Sequence, residues 1–154
     1  MSKISYIDNL KEWEQSFSFY CPIKVRFSET DAFGHVNNTN SFVYFEEARI
    51  DFFKEMGFMS EWADENSEHI IVTADMQCNY TKQIMFDEKL KAYVKVATIG
   101  QSSIDLHYMI KDEKGDICLT GRGLIVQLSK RTGKSSPWND VMKDKLQEAI
   151  VNYQ

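Results

Sequence analysis

Leu90, Ala92, Val94 and Val96 fall on one side of an alternating run, and Lys89, Lys91 and Lys95 on the other. Period-two alternation predicts a strand with one buried face, here over Lys89 to Ile99. Ser103 to Lys111 repeats the pattern, with Ile104, Leu106, Tyr108 and Ile110 on one face. His69 to Tyr80, holding Ile70, Ile71 and Val72, and the long mixed run Ile117 to Leu128 are two further strand candidates. Gly100-Gln101-Ser102 and Asp112-Glu113-Lys114-Gly115-Asp116 have turn chemistry, so these four strands are expected to form an antiparallel meander. An earlier alternating run opens at Pro22 and sets Ile23, Val25 and Phe27 on one face.

The period changes between Asn40 and Met56. Phe42, Phe45, Ala48, Phe52, Phe53 and Met56 recur at helical spacing, with Val43 and Ile50 as a second apolar strip. Such a helix is expected to be largely surrounded by protein, and Gly57 is its stop. Ser136 as cap and Pro137 at the first helical position predict a C-terminal helix through Val141, Met142, Leu146, Ala149 and Ile150. Residues 1–20 read as an N-terminal arm or short helix, since Ile7, Leu10, Trp13 and Phe17 are spaced nearly as in a helix. The order of strand, long helix and four strands predicts an α+β fold. One antiparallel sheet of about five strands wraps around one long central helix, with a C-terminal helix added. No linker or repeat interrupts the chain, so residues 1–154 are expected to form a single domain. The convex face of that sheet is left open, and a second copy is expected to cover it.

Composition narrows the function classes. The net charge of −5 argues against a nucleic-acid partner. Cys21, Cys78 and Cys118 stand apart from one another and read as reduced thiols of a cytoplasmic protein. Met1 to Leu10 lacks the pattern of a signal segment, and no apolar run approaches the roughly 18 residues of a membrane span. His35, His69 and His107 are scattered without metal-ligand spacing, and no glycine-rich phosphate loop precedes a helix; neither a metal nor a cofactor is expected.

The candidate chemistry lies where the first strand gives way to the central helix. Asp31, Gly34, His35, Asn37 and Asn38 stand within eight residues, 31 to 38. Asp31 beside an activated acyl group could deprotonate water or attack the carbonyl itself; alternatively it caps the turn. The first N–H groups of the helix lack intrahelical partners and sit at the positive end of its dipole, which suits an oxyanion hole near Asn38. Asn37 and Asn38 are also natural helix caps. Gly34 is expected at positive φ or at a close approach of substrate. His35 either orients Asp31 or holds the turn. Arg49 is expected to pair with a neighbouring acid.

These residues resemble the signature of the 4-hydroxybenzoyl-CoA thioesterase-like branch of the hotdog superfamily. The family pattern, Asp-x-x-Gly-His-Val-Asn-Asn followed by Phe-Glu-x-Ala-Arg, stands here as Asp31, Gly34, His35, Val36, Asn37, Asn38, Phe45, Glu46, Ala48 and Arg49. The likeness extends more weakly to Gly100-Gln101-Ser102-Ser103, to the last strand and to Thr132-Gly133-Lys134, about residues 22 to 145 in all. It implies a hotdog fold and hydrolysis of an acyl-CoA thioester without a metal. The substrate would be carried on CoA or on acyl carrier protein. It also implies homodimers that often pair into homotetramers. By the same resemblance Asp31 is the nucleophile or general base, and the Asn38 amide is the oxyanion donor. Asn37, Tyr80, Ser102, Ser103 and Lys82 are expected to contact substrate, the two serines either lining a pantetheine tunnel or forming a plain hairpin turn. Lys82, Lys130, Arg131 and Lys134 are candidates for the CoA phosphates.

The family's Tyr-x-x-Pro is Tyr80-Thr81-Lys82-Gln83 here, which predicts a looser bend beside the acyl pocket. Asp31 and His35 match two members of the Asp-x-Asn-x-His arrangement of plant acyl-carrier-protein thioesterases, but Phe33 replaces the Asn. The alternatives to hydrolysis are a non-catalytic acyl-CoA binder and a hotdog enoyl-CoA hydratase, whose Asp-x-Asn-Pro-x-His pattern is absent.

Overall fold

The computed structural model describes residues 3–153, with side chains up to residue 150. In chain order it contains α1 (Leu10–Gln15), β1 (Tyr20–Lys24), α2 (Asn40–Glu55), α3 (Met59–Trp62), β2 (His69–Tyr80), β3 (Lys89–Ile99), β4 (Ser103–Lys111), β5 (Ile117–Ser129) and α4 (Asp140–Tyr153). The strands form one antiparallel sheet in the order β1-β3-β4-β5-β2. It curls around α2, and this is the hotdog architecture.

The alternating residues of β3 and β4 face inward as their period requires. Val94, Val96, Ile104, Leu106, Tyr108 and Ile110 are fully buried, and Phe45 of α2 stacks on Tyr108 with ring centroids 4.6 Å apart. Room for Phe45 depends on Gly121 of β5, where an added Cβ would lie 2.5 Å from the ring. The buried stripe of α2 runs through Ser41, Tyr44, Phe45, Ala48, Arg49, Phe52 and Phe53. Phe42 and Val43, expected inside, are exposed, because only one side of the helix faces the sheet. Arg49 is buried as well: it donates to the Tyr108 hydroxyl at 3.2 Å and reaches Glu46 at 3.8 Å.

Several boundaries differ from the sequence pattern. Only β3, β4 and β5 form a meander; β2 crosses to the far edge and pairs with β5. The reason lies in residues 81–88, which have no hairpin-turn chemistry and span the end of the sheet instead of reversing the chain. The first strand stops at Lys24, and Phe27 opens a short 3-10 turn, Phe27–Glu29, with its side chain exposed. The Arg26 N–H bonds to Glu29 Oε1 at 2.8 Å, and this local capping bends the chain away from the sheet. The C-terminal helix is capped by Asn139, whose Oδ1 accepts the Met142 N–H at 2.8 Å. Ser136 and Pro137, expected to open that helix, precede it outside any helix or strand.

The convex face also differs from expectation. Residues of the N-terminal arm, α1 included, fold back across it. Ile4, Ile7, Trp13 and Phe17 make a second apolar cluster on Met109 of β4. This stretch of the face is therefore covered by the chain itself, without a second copy. No helix among the described residues is long and apolar enough to cross a membrane.

Candidate active site

The turn after β1 is closed by its own backbone. The Asp31 N–H donates to the His35 carbonyl at 2.8 Å, and the Gly34 N–H to the Asp31 carbonyl at 3.1 Å. Gly34 has φ +79°, the left-handed region that its missing Cβ makes cheap. A Cβ there would meet nothing nearer than Met85 at 4.0 Å, so backbone conformation and not space calls for glycine. Asp31 Oδ1 accepts the N–H groups of Phe33 at 2.9 Å and His35 at 3.2 Å. This oxygen caps the turn. The other, Oδ2, takes no hydrogen bond from the described residues, and Asp31 is exposed. His35 bonds to Asp31 through its backbone N–H and carbonyl, and its imidazole makes no hydrogen bond to Asp31.

The segment leading into α2 is anchored on both sides. The Val36 N–H donates to the Ile84 carbonyl at 2.7 Å, which stitches the turn to residues 81–88. The Asn37 N–H and the Asn40 Nδ2 both donate to the Glu29 carbonyl, at 2.8 and 2.9 Å. Asn37 Oδ1 accepts from the Thr39 N–H and hydroxyl, at 3.0 and 2.8 Å. Asn37 thus caps the turn ahead of the helix, while α2 itself starts without a side-chain cap. The Asn38 N–H has no acceptor among the described residues.

Asp31, His35, Asn37 and Asn38 border one cleft of about 360 Å³. Val36, Ile84 and Leu119 supply its apolar lining, and Ser41, Tyr80 and Lys82 complete its wall. Burial pushes the Tyr80 hydroxyl and the neighbouring Cys78 thiol above their ordinary pKa values. No three His, Cys, Asp or Glu side chains among the described residues converge as metal ligands would.

Lys82 lines the cleft but is already engaged: its ammonium donates to Asp112 at 2.6 Å and to Asp116 at 2.9 Å. These hydrogen bonds raise the Lys82 pKa. Burial alone would raise that of Asp112, yet Lys82 and two backbone N–H groups outweigh it and hold the carboxyl below its usual range. The bend expected to be loose is therefore held. The Thr81 and Lys82 N–H groups both donate to the Cys118 carbonyl, at 2.9 and 3.2 Å, and the Thr81 hydroxyl donates to the Ile117 carbonyl at 2.8 Å.

Ser102 and Ser103 are not brought to this cleft within the chain. Ser103 pairs with Val126, which pairs with Val72, eight positions along β2 from Tyr80 (72 to 80). At about 3.3 Å per residue that is roughly 25 Å. Both serines belong to the β3–β4 hairpin: the Ser102 carbonyl accepts the Gln127 N–H, and the Ser103 carbonyl accepts the Gly100 N–H and Trp138 Nε1. Lys130, Arg131 and Lys134 follow the end of β5 at Ser129, also at that distant end, and Lys130 donates to the Asp64 carbonyl. Ser41 carries no signal in the sequence, since a serine at a helix start looks like an ordinary cap. The pairing of Asp112 and Asp116 with Lys82 carries none either, because it depends on a turn about 30 residues away.

A curled sheet around one helix, with an acid and an unpaired amide at the helix entry, defines a class. The chain belongs to the Thioesterase-like superfamily, whose model matches residues 25–146. It is 46% identical over 143 residues to the uncharacterized protein YsmA of Bacillus subtilis, covering 92% of this chain and 95% of that one. Among solved structures it resembles the DHNA-CoA thioesterase of Staphylococcus aureus, with 29% identity, a TM-score of 0.75, and 86% and 88% of the two chains covered. A predicted thioesterase from Bacillus stearothermophilus gives 30% identity and a TM-score of 0.77, with 85% and 95% covered.

Proposed function

We propose that this protein hydrolyses an acyl-CoA thioester to the free acid and CoA. The observation that carries the reading is the pairing, on one cleft, of the open Asp31 Oδ2 with the unpaired Asn38 N–H. Oδ1 is held by two backbone N–H groups, so Oδ2 is presented in a fixed orientation. Water attacks the thioester carbonyl carbon as Oδ2 takes its proton. The carbonyl electron pair moves onto oxygen, where the Asn38 N–H and the positive end of α2 receive it. Collapse expels the CoA thiolate, and the proton on Asp31 passes to it. Direct attack by Oδ2, through a mixed anhydride, is the alternative use of the same oxygen. Single turnover in ¹⁸O-water bears on the choice: label entering Asp31, as water opens the anhydride at the Asp31 carboxyl carbon, marks attack by the carboxylate.

CoA as the carrier is supported by the name of the Staphylococcus aureus relative. Association of two copies is supported by Phe27 and Phe33, 76% and 81% exposed, on either side of Asp31 in sequence. The reading is tested by thiol release from a panel of acyl-CoAs. Asp31→Asn is expected to cut kcat by at least about 10²-fold with substrate still bound. Activity near that of the wild type in the pure variant would end the proposal.

A further inference from the structure

Asn38 lies between two peptide groups, and both are anchored. Ahead of it, the Asn37 carbonyl accepts the Asn40 N–H at 2.9 Å. That carbonyl and the Asn38 N–H belong to one planar unit, so fixing one fixes the aim of the other. After it, the Asn38 carbonyl accepts two hydroxyls, Tyr80 at 2.6 Å and Ser41 at 2.7 Å. The hydroxyl oxygens lie 3.1 Å apart. Each hydroxyl has one proton, so three short contacts share two protons. Both protons go to the carbonyl, and the Ser41–Tyr80 approach follows from their convergence.

The two hydroxyls come from different layers. Ser41 is in the first turn of α2 and is 1% exposed, while Tyr80 ends β2. They join the helix entry to the sheet at the point where a side-chain cap is missing. A helix end with free N–H groups frays unless something else fixes it. The turn is also braced by Thr39 on Asn37 Oδ1 and by Asn37 and Asn40 on the Glu29 carbonyl, but none of these bonds reaches the Asn38 carbonyl.

We infer that Ser41 and Tyr80 are positioning residues: their hydroxyls clamp the Asn38 carbonyl and so hold the Asn38 N–H on the cleft. The inference rests on the hydrolysis proposed above. The amide's grip strengthens as charge develops on the thioester oxygen. Loosening the clamp therefore lowers kcat and leaves KM nearly unchanged.

The test compares Tyr80→Phe, Ser41→Ala, the double variant and Ser41→Thr, which restores a hydroxyl. Thiol release is measured with the acyl-CoA that the wild type turns over fastest, alongside amide hydrogen exchange over residues 37–42. Each single loss is expected to lower kcat roughly 3–10-fold and the double by about 10²-fold, with KM within about twofold. Ser41→Thr recovers most of kcat. Exchange over the segment quickens in the variants that lack a hydroxyl. The inference is overturned if the double variant keeps its kcat, if the loss falls wholly in KM, or if exchange is unchanged. Should Ser41→Ala fail to fold, Tyr80→Phe, at a half-exposed position, decides the matter alone. A wild-type chain that releases no thiol defeats the hydrolase reading instead. Exchange still reports then whether the hydroxyls hold the turn, so the two failures look different.

Discussion

The turn at residues 31–41 and the arm at residues 3–19 both set polar groups among aromatic rings, yet they use them in opposite ways. On the convex face the polar groups are matched within the chain. The Tyr6 hydroxyl donates to Asn79 Oδ1 and lies 2.9 Å from the Thr120 hydroxyl. Trp13 Nε1 donates to His107 Nδ1 at 2.9 Å, and Lys95 donates to the Ser16 hydroxyl. Arg122 bridges Asp75 and Asp105. At the cleft an acid oxygen and a backbone amide find no partner among the described residues and border open space. Matched groups hold structure, because a buried polar group without a partner is costly. Unmatched groups that water can reach are available to a ligand.

This contrast predicts that changes to the arm move stability and changes to the turn move rate. Trp13→Ala removes a nearly buried ring and strands the His107 acceptor, with an expected loss of about 3–5 kcal/mol by chemical denaturation. The kcat of the folded fraction stays as in the wild type; a matching fall in kcat would break the comparison. Asp31→Asn is the mirror case. The Asn38 amide remains in place, and an Asn Oδ1 still accepts from Phe33 and His35, so the melting temperature holds while turnover falls.

Acid gives a third way to separate the regions. Burial, with Lys95 and Arg122 nearby, pushes His107 down to about 4 from 6.5. Between those values the unfolded chain takes up a proton that the folded chain refuses. Stability from this group is thus complete above pH 6.5 and falls as pH drops toward 4, by roughly 3 kcal/mol. Melting curves of His107→Gln should lose that part of the acid sensitivity; an unchanged slope would remove His107 from the account. The smallest effect is expected at Gly34→Ala. Its Cβ has room, so the cost is backbone strain alone, about 1–2 kcal/mol. Because this strain acts inside the turn, kcat should fall together with stability, unlike any change in the arm.

Legibility in the sequence divides along the same line. The limits of β3 and β4 and the inward residues of both are visible because each strand carries its own period. The place of β2 beside β5 is not, since local alternation encodes a face and not a neighbour. The exposure of Phe42 and Val43 depends on how much of α2 the sheet reaches, which the helix's own pattern does not contain. At the cleft, Asp31, Gly34 and Asn38 are close in sequence and form a readable motif. Ser41 and Tyr80, 39 positions apart in the chain, act on one carbonyl, and only the folded chain unites them.

In the cleft wall, the ion pairs of Lys82 stand in for the stiffness of a proline ring. A ring would hold the wall whatever the surrounding electrolyte. An ammonium shared between Asp112 and Asp116 responds to it, because screening shortens from about 10 Å at 0.1 M salt to about 3 Å at 1 M. The Asp116 side chain is 58% exposed and yields first, while that of Asp112, at 4%, is shielded and yields last. Brine should therefore soften the wall in stages, and the room the cleft offers becomes a property of its medium as well as of its chain.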